Sequence, residues 1–243
     1  MTKPFLLLAS RAEDRAADDE YASFLRHGDL EEAQLHRVRM EAGPLPQIDL
    51  DRYAGVILGG SPFTASKSAD TKSAAQRRVE AELAPLLAEI RARDLPFLGV
   101  CYGVGTMARA AGAVVDGTYA EDTGAVTVQV TAHGAADPLF RDLPAQFRAF
   151  VGHTEAVTAL PPGAALLASS ATAPTQALRL GRNVYVLQFH PEMDPAALAT
   201  RIDVYKHHGY FRPEDAKHLV EITRHEDVAP AHQVLAAFTA RYA

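Results

Sequence analysis

The sequence contains a single cysteine, Cys101, among 243 residues. One thiol cannot close a disulfide within the chain, and it cannot build a zinc or iron–sulfur site from several cysteines. A lone thiol is typical of proteins that stay in the reducing cytosol. We therefore expect a cytoplasmic protein in which Cys101 is either a buried structural residue or a reactive one.

A basic excess and a long apolar run are also missing. The chain has 24 Lys and Arg against 30 Asp and Glu, a formal net charge of −6, so its charge does not indicate a nucleic-acid partner. No apolar run approaches the roughly 18 residues that span a membrane. The run Phe5–Ala9 is short and charged residues follow it, so we expect neither a targeting segment nor membrane contact.

Short apolar runs alternate with helical patterns in the first half of the chain. Strands are predicted at residues 5–9, 35–40, 55–58 and 97–100, and helices at 12–26, 73–93 and 106–111. Pro85 is expected to kink or split the second helix. The acidic residues 18–20 are interpreted as a solvated helix face. The alternation predicts an α/β fold whose parallel sheet is covered on both faces.

The second half of the chain has a different pattern. Alternating valines between residues 125 and 187 predict further strands, some of them antiparallel. Prolines begin three predicted helices at 195–208, 213–224 and 230–242, as suits a first helical turn. No linker or repeat divides the chain, so we expect a single domain over residues 1–243 with a helical extension from about residue 195.

Cys101 lies in the segment Gly-Val-Cys-Tyr-Gly at residues 99–103, between a predicted strand and a helix. This is the arrangement of a nucleophile elbow, where a sharp turn exposes the nucleophile and small neighbours relieve crowding. The start of the helix would favour the thiolate. Taken alone, the motif is equally compatible with a structural cysteine.

A second motif supplies partners for a reactive thiol. His190 and Glu192 flank a proline just after a predicted strand. If that strand is parallel to the one before Cys101, both ends lie at the same edge of the sheet, where ligands bind in open α/β sheets. A cysteine hydrolase needs a base to accept the thiol proton and a second group to orient that base. His190 and Glu192 can fill these two roles.

The two motifs together resemble class I glutamine amidotransferases, whose elbow reads Gly-x-Cys-x-Gly and whose base motif reads Gln-Phe-His-Pro-Glu. The resemblance is greatest to stand-alone proteins similar to the amidotransferase domain of GMP synthase. Residues 56–62 are similar to the oxyanion strand and turn of that family, residues 152–157 to its His-Gly-Asp-type segment, and residues 176–179 to its substrate-side hairpin. The match extends in order from about Val56 to Glu192.

The resemblance implies a flavodoxin-like three-layer sandwich with a mixed, mostly parallel central sheet and extra C-terminal helices. It also implies hydrolysis of glutamine to glutamate and ammonia through a γ-glutamyl thioester, with neither a cofactor nor a metal. Carried over residue by residue, Cys101 is the nucleophile, His190 the acid and base, and Glu192 the orienting group.

The resemblance further implies substrate contacts. The backbone N–H groups of Tyr102 and of the Gly60-Ser61 turn would hold the oxyanion. His153 and Gln188 would lie on the substrate side. The chain departs from the family at Gly105, where glutamine is common, at Ser61 in place of a glycine, and at residues 153–155, which read His-Thr-Glu.

Three functions remain open from the sequence. The chain is a glutaminase that supplies ammonia to a separate synthetase subunit, a γ-glutamyl hydrolase or peptidase that acts without ammonia transfer, or a non-catalytic binding domain. No synthetase domain or phosphate-binding loop is recognisable within these residues. The expected ligand is glutamine or another γ-glutamyl compound, homo-oligomerisation stays open, and the segment near Pro195 is expected to cap the site.

Overall fold

The computed structural model describes residues 3–208 and 211–243. Eleven strands are present in these ranges. They are β1 (Phe5–Ala9), β2 (Leu35–Arg39), β3 (Val56–Leu58), β4 (Phe97–Val100), β5 (Val114–Asp116), β6 (Glu121–Val130), β7 (Gln146–His153), β8 (Ala156–Ala159), β9 (Ala165–Ser170), β10 (Ala177–Leu180) and β11 (Val184–Leu187).

Nine strands form one mixed sheet in the order β2-β1-β3-β4-β11-β10-β9-β6-β7. The first five are parallel to one another, and the last four join through antiparallel pairings. The order of the parallel strands is that of flavodoxin-like folds. β5 and β8 form a small antiparallel sheet beside it. The predicted α/β class and the antiparallel strands of the second half are confirmed.

The helices are α1 (Asp14–His27), α2 (Ala74–Arg93), α3 (Ala132–Ala135), α4 (Pro195–Tyr205), α5 (Ala216–Thr223) and α6 (Ala229–Tyr242). Residues 102–110 form a further helical segment, the elbow helix, which contains a π-helical stretch at Val104–Ala108. Short 3-10 turns lie at Glu32–Gln34, Leu50–Arg52, Ala69–Thr71, Gly117–Tyr119 and Pro213–Asp215. Of the three predicted C-terminal helices, the first two are present with shorter bounds, and α6 begins one residue earlier than predicted.

Strand β1 shows why the fold has three layers. Its five apolar residues are fully buried and point alternately to the two faces of the sheet. On one face they pack with Phe24 of α1 and Phe238 of α6. On the other face they pack with Val79 and Leu83 of α2. Helices therefore cover both faces of the central strands.

Two expectations about the helices are corrected by the structure. Pro85 does not split α2, which is continuous from Ala74 to Arg93. Pro85 is on the exposed side, where water can satisfy the carbonyl that loses its hydrogen bond, while Leu83 and Leu86 pack on the sheet. The helix predicted at 106–111 begins earlier, at residue 102, directly after Cys101. No helix in the described ranges is long and apolar enough to cross a membrane.

Candidate active site

Cys101 follows β4 in a strained turn. Its φ angle is 51°, in the left-handed region that non-glycine residues rarely adopt, and its N–H donates to the carbonyl of Leu187 at 2.7 Å. A Cβ atom on Gly99 would lie 2.9 Å from the Cα of Gly103, so the turn requires glycine at position 99. A Cβ atom on Gly103 would meet only Val186, at 3.7 Å. Crowding was expected on both sides of Cys101, but it is present at Gly99 and not at Gly103.

His190 reaches the same edge of the sheet from the neighbouring strand. β11 is parallel to β4 and pairs Leu187 with Val100, so the expected strand direction is confirmed. The N–H of His190 donates to the carbonyl of Phe150 at 2.9 Å, which ties the residue to β7. Cys101 and His190 therefore follow the carboxyl ends of adjacent parallel strands and line one cleft.

Glu192 lies behind His190 and is fully buried. The Nδ1 atom of His190 is 2.8 Å from Oε1 of Glu192. Burial would raise the pKa of Glu192, but the charge and hydrogen bond of His190 and the charge of Arg201 outweigh it and hold the pKa at about 2. The carboxylate therefore only accepts, Nδ1 carries the donated hydrogen, and Nε2 is the ring nitrogen left to act as a base.

A buried ion chain connects Glu192 to the far wall of the cleft. Arg201 of α4 lies 3.4 Å from Glu192 and 3.2 Å from Glu20 of α1. Glu20 in turn holds the Nε of Arg11 at 2.8 Å. Glu20 is fully buried, so the interpretation of residues 18–20 as a solvated face is wrong at this position. Its spacing of four residues from Ala16 and Phe24, which are also buried, was the available signal.

Gly60 lies beside both His190 and Arg11. A Cβ atom on Gly60 would lie 2.7 Å from Cε1 of His190 and 2.8 Å from Nη2 of Arg11. The imidazole and the guanidinium therefore meet over the bare backbone of the turn after β3. Any side chain at Gly60 would displace one of them. Sequence reasoning did not single out Arg11, although it follows the carboxyl end of the buried strand β1.

Two clefts meet at Cys101, and Ser61 and Gly152 line both. The first, the α4 cleft, encloses about 500 Å³ including open solvent and is also lined by Arg11, His190 and α4 residues. The second encloses about 310 Å³ including open solvent and is lined by the segment 152–155 and by residues after β3. We call it the hairpin cleft after the turn between β7 and β8, which is distinct from the segment 176–179. His190 lines the first cleft and not the second.

The two predicted substrate-side residues are placed differently, since His153 lines the hairpin cleft with its side chain engaged and Gln188 lies outside both clefts. His153 lines this cleft, yet its Nε2 is 2.7 Å from Glu121 and its Nδ1 is 3.0 Å from the carbonyl of Glu155. The ring therefore lies between the carboxylate of Glu121 and the backbone carbonyl of Glu155. Gln188 is 1% exposed and lines neither cleft.

Tyr102 and Gly105 follow Cys101 on the elbow helix. The Tyr102 side chain is buried and packs edge-on against Phe63, so only its backbone is placed to contact a substrate at Cys101. A Cβ atom on Gly105 would lie 2.0 Å from Oε1 of Glu155. The space of a side chain at position 105 is therefore filled by the Glu155 carboxylate, which accepts from the N–H groups of Ala65 and Ser66 at 3.0 and 2.6 Å.

Burial dominates the electrostatics of Cys101. Burial raises the pKa of its thiol to about 12, Arg11 opposes the shift, and Glu155 and Glu192 add to it. The start of the elbow helix thus does not make the resting thiolate that its position suggested. A neutral thiol needs a base when it attacks, which is the role that the geometry gives to His190.

The described ranges contain no group of three or more His, Cys, Asp or Glu side chains arranged to hold a metal ion. The arrangement can perform thiol-dependent acyl transfer with groups from the protein alone: a nucleophile on an elbow, a base oriented by a carboxylate, and a turn with free backbone N–H groups.

Comparisons with known proteins agree with this arrangement. A glutamine-hydrolysing GMP synthase from Marinobacter nauticus is 36% identical over 119 residues, which is 45% of this chain and 22% of that protein. Another from Porphyromonas gingivalis is 30% identical over 159 residues, 65% of this chain and 28% of that protein. The chain thus matches about a quarter of the length of these relatives.

A glutamine amidotransferase structure from Thermotoga maritima superposes with a TM-score of 0.79 at 21% identity and covers 100% of this chain and 99% of that one. This likeness confirms the predicted fold. The family model described as glutamine amidotransferase class-I matches residues 22–205, a span that contains the elbow, the turn at Gly60 and the His190–Glu192 motif. On that match, the chain belongs to the class I glutamine amidotransferase family.

Proposed function

We propose that this chain hydrolyses the γ-amide of a γ-glutamyl compound, with glutamine as the substrate typical of its family, by means of Cys101, His190 and Glu192. The observation that carries the proposal is the meeting of Cys101 and His190 in one cleft, with His190 held by a buried carboxylate at 2.8 Å. A structural cysteine would need neither a strained turn nor an oriented base beside it.

The reaction has two steps. The sulfur of Cys101 attacks the γ-carbonyl carbon while Nε2 of His190 accepts the thiol proton. His190 then gives this proton to the departing nitrogen, the carbon–nitrogen bond breaks, and a γ-glutamyl thioester remains on Cys101. Water attacks the thioester with His190 as base, and the proton returns to sulfur as glutamate leaves.

Backbone groups stabilise the tetrahedral oxyanion in both steps. The N–H of Tyr102 follows the nucleophile, and the turn at Gly60 and Ser61 faces it from the next strand. Loss of one such donor typically lowers the rate on the order of 100- to 1000-fold. Glu192 stabilises the imidazolium that forms, because it remains ionised at any pH above its pKa of about 2.

The fate of the released nitrogen separates two versions of this function. The relatives in Marinobacter and Porphyromonas are named as GMP synthases, which supports an ammonia-accepting synthetase partner for this chain. The apolar side chains that line the α4 cleft beside His190 favour a second version, in which a larger amine leaves from a γ-glutamyl peptide or amine.

The test is an assay of ammonia and glutamate release from glutamine, with the purified chain and with Cys101→Ala. We expect turnover by the wild type, none by the variant, and labelling of Cys101 by a glutamine-like chloroketone. Thermal unfolding of both proteins controls for folding. A folded wild type that neither hydrolyses any γ-glutamyl amide nor reacts with the chloroketone would contradict the proposal. Activity on glutamine that rises only with an added synthetase would identify the first version.

A further inference from the structure

The α4 cleft beside His190 combines polar and apolar side chains in one lining. Its walls are chemically distinct, since guanidinium groups line one part and apolar side chains line another.

The position of His190 fixes the direction in which a leaving group departs. The residue that protonates the departing nitrogen must be within reach of that nitrogen. His190 lines the α4 cleft and not the hairpin cleft. The leaving group therefore occupies the α4 cleft, and the glutamyl part occupies the hairpin cleft on the other side of Cys101.

Arg11 offers a free hydrogen-bond donor at this point. Its Nε is bound to Glu20 at 2.8 Å and its Nη1 to the Tyr205 hydroxyl at 3.4 Å, which fix the plane of the guanidinium. No acceptor among the described residues bonds to Nη2. A Cβ atom built on Gly60 would lie 2.8 Å from this Nη2 and 2.7 Å from Cε1 of His190. A group bound to Nη2 is thus a neighbour of the catalytic imidazole.

The buried ion chain beside the cleft is electrically neutral. It contains two guanidinium groups, Arg11 and Arg201, and two carboxylates, Glu20 and Glu192. Proton transfer from Cys101 to His190 keeps this balance, because the sulfur or the oxyanion carries the charge opposite to the imidazolium. A carboxylate on the leaving group would accept a hydrogen bond from Nη2 of Arg11, which has no acceptor among the described residues.

Part of the cleft lining is apolar. It consists of Met193, Leu198 and Ile202 at and near α4, with Val151 and Phe211 beside them. A leaving group with an apolar side chain would bury that side chain here.

From these observations we propose that the α4 cleft binds the amino-acid leaving group of a γ-glutamyl peptide, with Arg11 holding its α-carboxylate and the α4 wall holding its apolar side chain. In such a peptide a single carbon separates the departing nitrogen from the carboxylate, which matches the closeness of His190 and Arg11. The inference rests on the proposed function and names its substrate class. Sulfur displaces the amino acid, which leaves as the neutral amine after protonation by His190, and water then releases glutamate from the thioester.

The test uses two substrates that differ only in the carboxylate, γ-glutamyl-leucine and γ-glutamyl-isopentylamide, together with glutamine. We expect kcat/KM of the wild type to be roughly 10- to 100-fold higher for the leucine peptide than for the alkylamide, the range of a hydrogen bond between charged groups. Equal kcat/KM for the two substrates would overturn the inference.

Variants assign the preference to one side chain. In Arg11→Met the ratio of the two kcat/KM values should fall towards one, whatever the overall activity, and Arg11→Lys should keep part of it. The matched control is Arg15→Met, since Arg15 is on the exposed side of α1 in a surface pair with Asp203, and its ratio should equal that of the wild type. A full ratio in Arg11→Met would overturn the assignment.

A measurement on the wild type alone covers the case in which Arg11→Met does not fold. Free leucine should inhibit hydrolysis of γ-glutamyl-isopentylamide at least about tenfold more strongly than isopentylamine does. Equal inhibition would contradict the inference. If glutamine and the alkylamide are hydrolysed but the carboxylate gives no advantage, the inference fails while the proposed function stands. If none of the three substrates is hydrolysed, the proposed function fails.

Discussion

The two clefts that meet at Cys101 are built from different kinds of contact. The hairpin cleft is held by hydrogen bonds to backbone: His153 to the carbonyl of Glu155, and Glu155 to the N–H groups of Ala65 and Ser66. The α4 cleft is held by ion pairs between buried side chains of α1, α4 and the loop after β1. Hydrogen bonds to backbone groups thus fix the lining of the hairpin cleft, and ion pairs between side chains fix that of the α4 cleft.

This difference separates two consequences of mutation. Removal of a side chain from the backbone-bound wall leaves buried N–H or C=O groups without a partner, at a cost of about 1–3 kcal/mol for each group. Removal of one partner from the buried ion chain costs more, because it leaves an uncompensated charge away from water. Charge substitutions are therefore expected to act on the α4 cleft, and steric substitutions on the hairpin cleft.

The largest expected loss of activity on the α4 side comes from Glu192→Gln. The amide keeps the shape but cannot stabilise the imidazolium or enforce the tautomer of His190, so we expect kcat for glutamine to fall roughly 1000-fold or more. Steady-state kinetics measure this. Glu221→Gln makes the same chemical change in an exposed pair with Arg224 and should leave kcat unchanged. If Glu192→Gln retained about a tenth of the wild-type kcat, the carboxylate would have no orienting role.

The next largest effect should come from Glu20→Gln, which removes the carboxylate shared by Arg11 and Arg201. Arg11 then loses its carboxylate partner and Arg201 keeps only Glu192, so the free energy of unfolding should fall by about 3–5 kcal/mol. Urea unfolding at neutral pH measures it. Asp18→Asn on the same helix, in an exposed pair with Arg37, is the control and should change stability far less. Similar effects of both variants would contradict a buried ion chain.

On the hairpin side, Gly105→Ala should act through shape. Its Cβ atom would lie 2.0 Å from Oε1 of Glu155 and 2.7 Å from Cβ of Ala65, so the carboxylate must leave its place. We expect KM to rise roughly tenfold for every γ-glutamyl substrate, with an unchanged ratio between leucine peptide and alkylamide. Gly103→Ala, with only Val186 at 3.7 Å, should be close to wild type. A changed ratio in Gly105→Ala would show that the two clefts are not independent.

The smallest effect concerns pH on the α4 side. His27 stacks on His232 with ring centroids 3.7 Å apart, and His232 donates to the carbonyl of Pro191 at 2.7 Å. Burial lowers the pKa of His27 below 6.5, and His232 lowers it further. The unfolded chain therefore binds more protons below pH 6.5, and stability should fall as the pH drops below that value.

Chemical unfolding between pH 8 and 5 measures this dependence. His27→Gln should flatten the curve below pH 6.5, and His133→Gln, at an exposed position, should not. A curve for His27→Gln that matches the wild type would remove His27 from the explanation.

Much of the fold follows from local patterns in the sequence. Phe5–Ala9 and Phe97–Val100 are apolar runs of strand length, and the structure has strands with those bounds. The boundary of the elbow helix was misplaced because tertiary geometry starts it at the strained turn of Cys101. Pro85 does not split α2, because it lies on the exposed side of the helix, where water can bond the carbonyl one turn earlier.

The candidate site divides in the same way. Cys101, His190 and Glu192 are predictable because each of the two motifs that contain them directly follows an apolar run of strand length. Arg11 and Arg201 are not, because each looks like an ordinary charged residue and its role depends on partners elsewhere in the chain. Helical spacing from Ala16 and Phe24 indicates that Glu20 is buried, but it does not identify its partners. The filled space at Gly105 is likewise invisible without Glu155, which lies on a different element.

The tie between His190 and Phe150 has a consequence for biosynthesis. The elbow is made early in translation, whereas the base, its carboxylate and the strand that pins them emerge much later, and domains begin to form from their N-terminal parts. A nascent chain that ends before His190 therefore carries the Cys101 thiol without the base that would accept its proton. The proposed pair of Cys101 and His190 is complete only when β11, the last strand of the chain, has joined the sheet.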